Sequence, residues 1–431
     1  MVTSSSTNNG RPALSIHRQV RKYVLNHLDQ ETLRKASSWA LQLLRKKFPH
    51  QSPFAEPLSH LWPQCEQWIA HIISLNVAIR QSKDLSVLPK DLPELFTDAS
   101  IYLWERGLLE QGRELILSAK ALVEAQESDL LLKDNVYSFY GCILSELGVL
   151  DQAFFFFSEH AHHRKQNLLS LQRQGKQATM LDEIRLANAY NNVAGILCAQ
   201  GRYQEAELNN TLSLKIKERW TAERDLRYLL SLSFSNLANV FGRQEKWDQA
   251  AQYYEKAIDI GKESNDTTRR ALTYHNFGCM RLEQHQIIAA RDLLTEAFQL
   301  RSEALGDHND TATTLHMLAL CHYKLGDIIN ARCVLYTSSY PICHSCNQSL
   351  TLGRDLLLEA VRILEKNPQE QNRRRIARSK YKLSHVLREL HDPRSEDYLS
   401  DARRLRTEVM SADEARGEEN EATFDALVAY I

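Results

Sequence analysis

The chain reads as all-α: a solenoid of helix hairpins winding as a right-handed superhelix, behind a small helical N-terminal segment. Three observations predict this. Between Asn192 and Ala331 one pattern recurs four times: Asn192-Val193-Ala194…Ala206, Asn236-Leu237-Ala238…Ala250, Asn276-Phe277-Gly278…Ala290 and Met317-Leu318-Ala319…Ala331. The closing alanines lie 44, 40 and 41 residues apart. A fixed period of that size marks units that bury their apolar faces only by stacking on their neighbours. Finally, 15 Gly and 10 Pro in 431 residues leave little turn chemistry for an all-β fold.

Residues 1–10 are rich in Ser, Thr and Asn, lack the layout of a signal peptide, and are expected to be disordered. Residues 11–85 lie outside the repeat. Ala13 to Val20 reads as a short strand entering a helix, with helices near 18–28, 30–48 and 58–79, the last behind the turn at Pro53 and Pro57. From about 90 to 410 the spacing predicts about seven helix pairs. Weaker units precede the clear ones at Ala99-Ser100…Ala119 and Tyr140-Gly141…Phe157, and a degenerate one follows at Leu383-Ser384…Ala402. A small residue where two helices come closest lets the backbones approach, and a large neighbour fills the next gap. Gly107, Gly148, Gly201 and Gly326 fit positions just past a helix end, where a left-handed conformation suits glycine. Residues 411–431 read as an acidic tail with a short C-terminal helix.

This pattern resembles tetratricopeptide repeats, in the longer variety found in kinesin light chains. Glu303 to Asp310 is similar to that variety's inter-repeat linker, with Asn309 where a proline is usual. The resemblance covers about three quarters of the chain and implies a fold rather than a function.

One stretch breaks register. Deleting residues 333–354 joins Ala331-Arg332 to Asp355-Leu356-Leu357, with Leu357 four positions after Ala331 and Ala360 seven after it, as in Ala250, Tyr254 and Ala257. Three readings fit. The segment is intron sequence carried into the protein, since twenty-two codons keep the frame and Leu350-Thr351 can encode a branch-point-like sequence. Alternatively it is a surface loop, tolerated at solenoid connections. The third reading is a metal knuckle at Cys343-His344-Ser345-Cys346, which lacks the second ligand pair of a structural zinc site.

A second resemblance lies at the N-terminus. Leu14-Ser15-Ile16-His17-Arg18-Gln19-Val20 is similar to the end of the winged helix of NB-ARC-type signalling ATPases. Fungal members of that group continue with a helical segment holding a Trp-x-x-Cys element, here Trp62 to Cys65, and then tetratricopeptide repeats. The resemblance implies that His17 is the nucleotide-sensing histidine, with Arg18 where the motif carries an acid. No Gly-x-x-x-x-Gly-Lys-Ser/Thr loop occurs in the chain, so no P-loop binding of ATP is expected from these residues. The resemblance implies the C-terminal, sensor part of such a receptor. A stand-alone adaptor similar to kinesin light chain, or part of an ATPase whose P-loop lies elsewhere, are the alternatives.

The expected function is non-enzymatic binding of a protein or peptide in the concave groove, lined by the first helix of each pair. Asn192, Asn236 and Asn276 recur at one position, with Asn191 and Asn239 close by. A carboxamide donates and accepts, so such a ladder can pair with an extended peptide backbone whatever its sequence. The alternative is that these amides bond to their own helices or to the next repeat. His160, His162 and His163 are expected to lie at a solvated helix end rather than on a metal, and Phe154 to Phe157 to face the core on several sides. Arg373-Arg374-Arg375 and Arg378 are expected to be solvated charge.

A net charge of −1 and a pI near 7.0 suggest neither nucleic acid nor an anionic membrane as partner. No apolar run reaches the roughly 20 residues of a membrane span. Cys142, Cys198, Cys279 and Cys321 sit in apolar helical stretches, which suits buried free thiols and a cytoplasmic location. No Gly-x-Ser-x-Gly or nucleophile–base constellation occurs, and no cofactor is expected.

Overall fold

A computed structural model describes residues 2–6, 12–16, 23, 27–80, 84–126, 129–263, 266–336, 344–366, 369–410 and 419–428. The chain divides into two compact units, residues 1–143 and 144–431.

The first unit opens with strands β1 (Val2–Ser6) and β2 (Pro12–Ile16), paired antiparallel with Val2 opposite Ile16. Within the stretch expected to be disordered, Val2 to Ser6 are thus paired, which gives their backbone amides and carbonyls partners. Helix α1 (Gln30–Arg45) starts at Asp29, whose carboxylate accepts from the Thr32 amide at 2.8 Å. Helix α2 (Trp62–Ile79) carries Pro63 in its first turn, where a missing N–H costs nothing. The Trp62 indole and the Leu58 amide both donate to Glu105 at 2.9 Å, at the end of α3 (Leu92–Glu105). Helix α4 (Leu109–Ala125) returns along α3, with Gly112 close against the Ser100 carbonyl. Helix α5 (Leu130–Glu146) leads out of the unit.

In the second unit α6 (Leu150–Arg173) packs against α7 (Met180–Ala199), and hairpins follow. They pair α7 with α8 (Tyr203–Arg219), α9 (Arg227–Arg243) with α10 (Trp247–Glu263), and α11 (Thr267–Glu283) with α12 (Ile287–Leu305). Helices α13 (Asn309–Tyr336) and α14 (His344–Glu365) form the next pair, and α15 (Glu370–Glu389) and α16 (Ser395–Val409) another. A five-residue helix, α17 (Glu421–Asp425), packs on α15. The described chain is thus a helix-pair solenoid apart from the β1–β2 ribbon.

Each second helix repeats one set of buried positions: Ala250, Tyr254 and Ala257 on α10, and Ala290, Leu294 and Ala297 on α12. On α14 the same spacing is filled by Gly353, Leu357 and Ala360, the last two fully buried. Gly353 thus stands where Ala331 was expected, and its Cα lies so near α13 that an added Cβ would sit 3.3 Å from the Ala319 carbonyl.

Six hairpin turns among the described residues share one device, those at Gly107, Gly148, Gly201, Glu245, His285 and His391. A residue in the left-handed region follows the first helix, and the next amide reaches back to a carbonyl five residues earlier. Gly201 has φ 77° with Arg202 N–H donating to the Leu197 carbonyl at 2.8 Å. Glu245 (φ 59°), His285 (φ 59°) and His391 (φ 55°) take the same conformation without being glycine. Gly107 and Gly148 behave as expected, but Gly326 does not: it lies inside α13, which runs on to Tyr336. A single glycine costs a helix only about 1 kcal/mol, and the next residue that blocks a helix is Pro341.

Candidate peptide-binding face

The first helices of successive pairs touch one another through side chains. Asn236 on α9 donates its amide to Asn191 Oδ1 on α7 at 3.0 Å. His275 Nδ1 on α11 meets Thr314 Oγ1 on α13 at 3.2 Å, and His316 Nδ1 on α13 meets Ser379 Oγ on α15 at 3.0 Å. Ala194, Ala238, Gly278 and Ala319 stand at equivalent positions of the first helices, and at Gly278 and Ala319 the close neighbour is the second helix of the same pair. Gly278 is the tightest: an added Cβ would lie 2.7 Å from Leu294 Cγ.

Asn192, Asn236 and Asn276 occupy one register on α7, α9 and α11, all half-buried. Asn239 Oδ1 accepts from the Tyr254 hydroxyl at 2.5 Å. The side chain of Asn276 has no hydrogen-bond partner among the described residues. In the same register α13 carries Met317 and α15 carries Lys382, so the carboxamides stop at α11. Beside them Arg243 and Glu283 pair across α9 and α11 at 3.3 Å.

Behind this face burial holds the histidines neutral. His275 and His316 titrate well below the ordinary imidazole range because burial disfavours the cation, and nearby Arg301 and Arg378 add repulsion. Burial likewise pushes the thiols of Cys279, Cys321 and Cys65 up to about 12, so they stay protonated and are poor nucleophiles.

Several expected features lie elsewhere. His160 is buried in mid-helix rather than at a solvated end; its Nε2 accepts from Arg164 Nε at 3.1 Å, and burial lowers its pKa to about 3. His162 is exposed, so the trio does not converge. Of the four phenylalanines only Phe157 is buried; Phe155 is 57% exposed, and the Arg202 guanidinium covers Phe154 at 4.9 Å. Arg378, read as solvated, is buried against the His275–His316 layer. His17 and Cys343 lie outside the described residues, as do the side chains of His344 and Cys346.

One set of residues was not read from the sequence. Eleven positions after the small residue of the second helix stand Arg164, Lys217, Arg301 and Arg406, all buried. Lys217 Nζ donates to Ser233 Oγ at 2.9 Å. Arg301 donates to Thr314 Oγ1 at 2.6 Å and to the Asp310 carbonyl at 2.8 Å. The spacing from Ala153, Ala206, Ala290 and Ser395 was the available signal.

In the first unit His50, Glu94 and Asp98 hold ligand-type atoms within 4.8 Å of one another. Arg45 lies 2.8 Å from Asp98 and supplies the counter-charge a metal would provide. Among the described residues no helix is long and apolar enough to cross a membrane.

The tetratricopeptide repeat family matches residues 185–263, 229–303 and 269–338. Regulatory protein RapK of Bacillus subtilis (strain 168) is 25% identical over 202 residues, 45% of this chain and 52% of its own length, so the match spans about half of that relative. Among solved structures, BtubC (BKLC) from P. vanneervenii is 16% identical with a TM-score of 0.47, over 63% of this chain and 94% of that one. A Rap protein complexed with Competence and Sporulation Factor is 12% identical with a TM-score of 0.46, over 89% and 100%. Residues 185–338 thus match tetratricopeptide repeats, and the described helices form a helix-pair solenoid.

Proposed function

We propose that the shared face of α7, α9 and α11 binds an extended peptide or protein segment without chemical turnover. The observation that carries this is the carboxamide register: Asn192, Asn236 and Asn276 at one position of three adjacent helices, partly open to solvent. The direct bonds between successive first helices support placing them on the inner, concave layer. Amide groups that donate and accept suit a peptide backbone, and Arg243 and Glu283 offer charge selection at one edge. The test is affinity capture with the full chain as bait, repeated with Asn236→Ala/Asn276→Ala. The double variant should lose the captured peptide or protein while its far-UV circular dichroism stays unchanged; undiminished capture refutes the reading.

A narrower reading makes the repeats the sensor half of an NB-ARC-like receptor. It is favoured by the resemblance of residues 14–20 and of Trp62 to Cys65. An in-frame Gly-Lys-Ser/Thr loop in the genomic sequence upstream of Met1 supports it, and a promoter there supports a stand-alone adaptor.

A further inference from the structure

Two buried cations of second helices, Lys217 and Arg301, are satisfied by the helix that follows, whereas Arg164 bonds to His160 of its own helix. Lys217 on α8 finds the hydroxyl of Ser233 on α9, and Arg301 on α12 finds Thr314 and the Asp310 carbonyl on α13. Arg406 stands in that register on α16, eleven positions after Ser395, and is equally buried. The helix that follows it is α17, only five residues long. Arg406 meets the ring of Phe424 at 5.5 Å but has no carboxylate partner among the described residues, and its Nε is buried without a hydrogen bond.

The short helix is held at one central point and at its flanks. Phe424 is 1% exposed and stacks on Tyr381, with ring centroids 4.0 Å apart. Leu427, three residues on, is also buried. Lys382 pairs with Glu421, and Arg403 Nε donates to Glu419 at 2.8 Å, both with half-exposed or exposed carboxylates. Residues 419–428 thus cover the apolar part of a face that, at Arg301, takes a whole helix with a hydroxyl and a carbonyl aimed at the cation.

We infer that the face of α15 and α16 around Tyr381 and Arg406 is a docking site for an amphipathic helix from a partner, with residues 419–428 as its built-in, displaceable occupant. The partner helix places an apolar pair three or four residues apart where Phe424 and Leu427 sit. It also carries a hydroxyl or carboxylate that reaches Arg406, which the chain's own segment does not provide. A charge-assisted bond made in a water-excluded site is what gives the incoming helix its advantage. Tethering gives the resident segment its own advantage, through effective concentration rather than contact quality. This site lies on different helices from the asparagine register and does not depend on that reading.

The test uses a fluorescein-labelled synthetic peptide with the sequence of residues 309–324, the helix that satisfies Arg301. Fluorescence polarisation is followed against the full chain, its Phe424→Ala variant and the Phe424→Ala/Arg406→Met variant. Phe424→Ala should bind the peptide at least tenfold more tightly than the unaltered chain, and adding Arg406→Met should remove at least tenfold. Equal binding with and without Phe424, or indifference to Arg406→Met, overturns the inference. Should Phe424→Ala lose helicity, Glu419→Lys/Glu421→Lys loosens only the flanking pairs. That variant should bind at least threefold more tightly than the unaltered chain, and no change overturns the inference equally.

Discussion

Lys217 Nζ donates to Ser233 Oγ at 2.9 Å, and neither side chain reaches solvent. An ammonium with one neutral partner is poorly compensated, and burial with Arg269 nearby lowers its pKa to about 7. The folded value lies below the unfolded one near 10.5, so the unfolded chain binds the proton more tightly between them. Stability should therefore rise with pH from about 7 to about 10 and be flat below 7 as far as this group is concerned. Lys217→Met should remove that rise and raise stability at pH 7, by on the order of a few kcal/mol at about 1.4 kcal/mol per pKa unit. Urea midpoints of both proteins at pH 7 and pH 9.5 check this; parallel pH dependence contradicts it.

Two glycines on first helices should respond to alanine with opposite signs. At Gly278 the new methyl meets Leu294, itself fully buried, and lies 3.3 Å from the Ala290 carbonyl. Gly278→Ala should cost about 1–3 kcal/mol, as overpacking does. At Gly195 nothing lies within 4 Å of the added Cβ, so Gly195→Ala should gain up to about 1 kcal/mol from helix propensity. Thermal denaturation of the two variants side by side is sufficient.

Much of the fold was legible because of such small residues. Ala194, Ala238 and Ala250 repeat where backbones touch, and a period survives drift in every larger side chain. The turns were legible only where glycine marks them. Glu245, His285 and His391 adopt the same left-handed conformation, and nothing in their chemistry announces it. The candidate face was half legible: Asn236 was found by register, but its bond to Asn191 depends on how closely α7 and α9 approach. Lys217, Arg301 and Arg378 escaped because an isolated cation reads as solvated unless the small residue eleven positions earlier, where there is one, sets the phase.

Those non-glycine turns can be improved. A side chain in the left-handed region is strained, whereas glycine adopts it freely. Glu245→Gly, His285→Gly and His391→Gly should each stabilise by about 0.5–1 kcal/mol, the entropy of glycine in the unfolded chain taking back part of the gain. Gly201→Ala, at φ 77°, should lose about 1 kcal/mol. A lower melting temperature for Glu245→Gly would contradict the strain argument.

Acid should loosen the second unit. His160, His275 and His316 have folded pKa values below the ordinary 6.5, so the unfolded chain takes up protons first as pH falls below that value. Each contributes a loss of up to about 1.4 kcal/mol per pH unit. In the first unit Asp98 has the opposite sign: burial raises it to about 6 against Arg45, so its contribution favours folding as pH falls from 6 toward 3.8. Hydrogen exchange at pH 7.5 and 5.5 should show α6, α11 and α13 losing protection while α3 does not.

The out-of-register segment yields the last prediction. Removing residues 333–354 brings Ala331-Arg332-Asp355-Leu356-Leu357 together, which differs in no position from Ala290-Arg291-Asp292-Leu293-Leu294 on α12. The structure seats Gly353-Arg354 in the same place, in front of Leu357 and Ala360. Two stretches of one chain thus compete for one register, and the deletion replaces glycine by alanine in a helix interior. The shortened protein should fold with unchanged helicity per residue and gain up to about 1 kcal/mol from propensity, reduced by the shift of α13 that a methyl 3.3 Å from the Ala319 carbonyl requires, plus a smaller amount from the shorter connection. Its α13 should then end near Gly326, the glycine that the longer chain leaves inside a helix. Thermal melting of the two purified chains measures the gain, and transcript sequencing reveals whether those codons are retained. A lower melting temperature for the shortened chain would show that residues 333–354 contribute packing of their own.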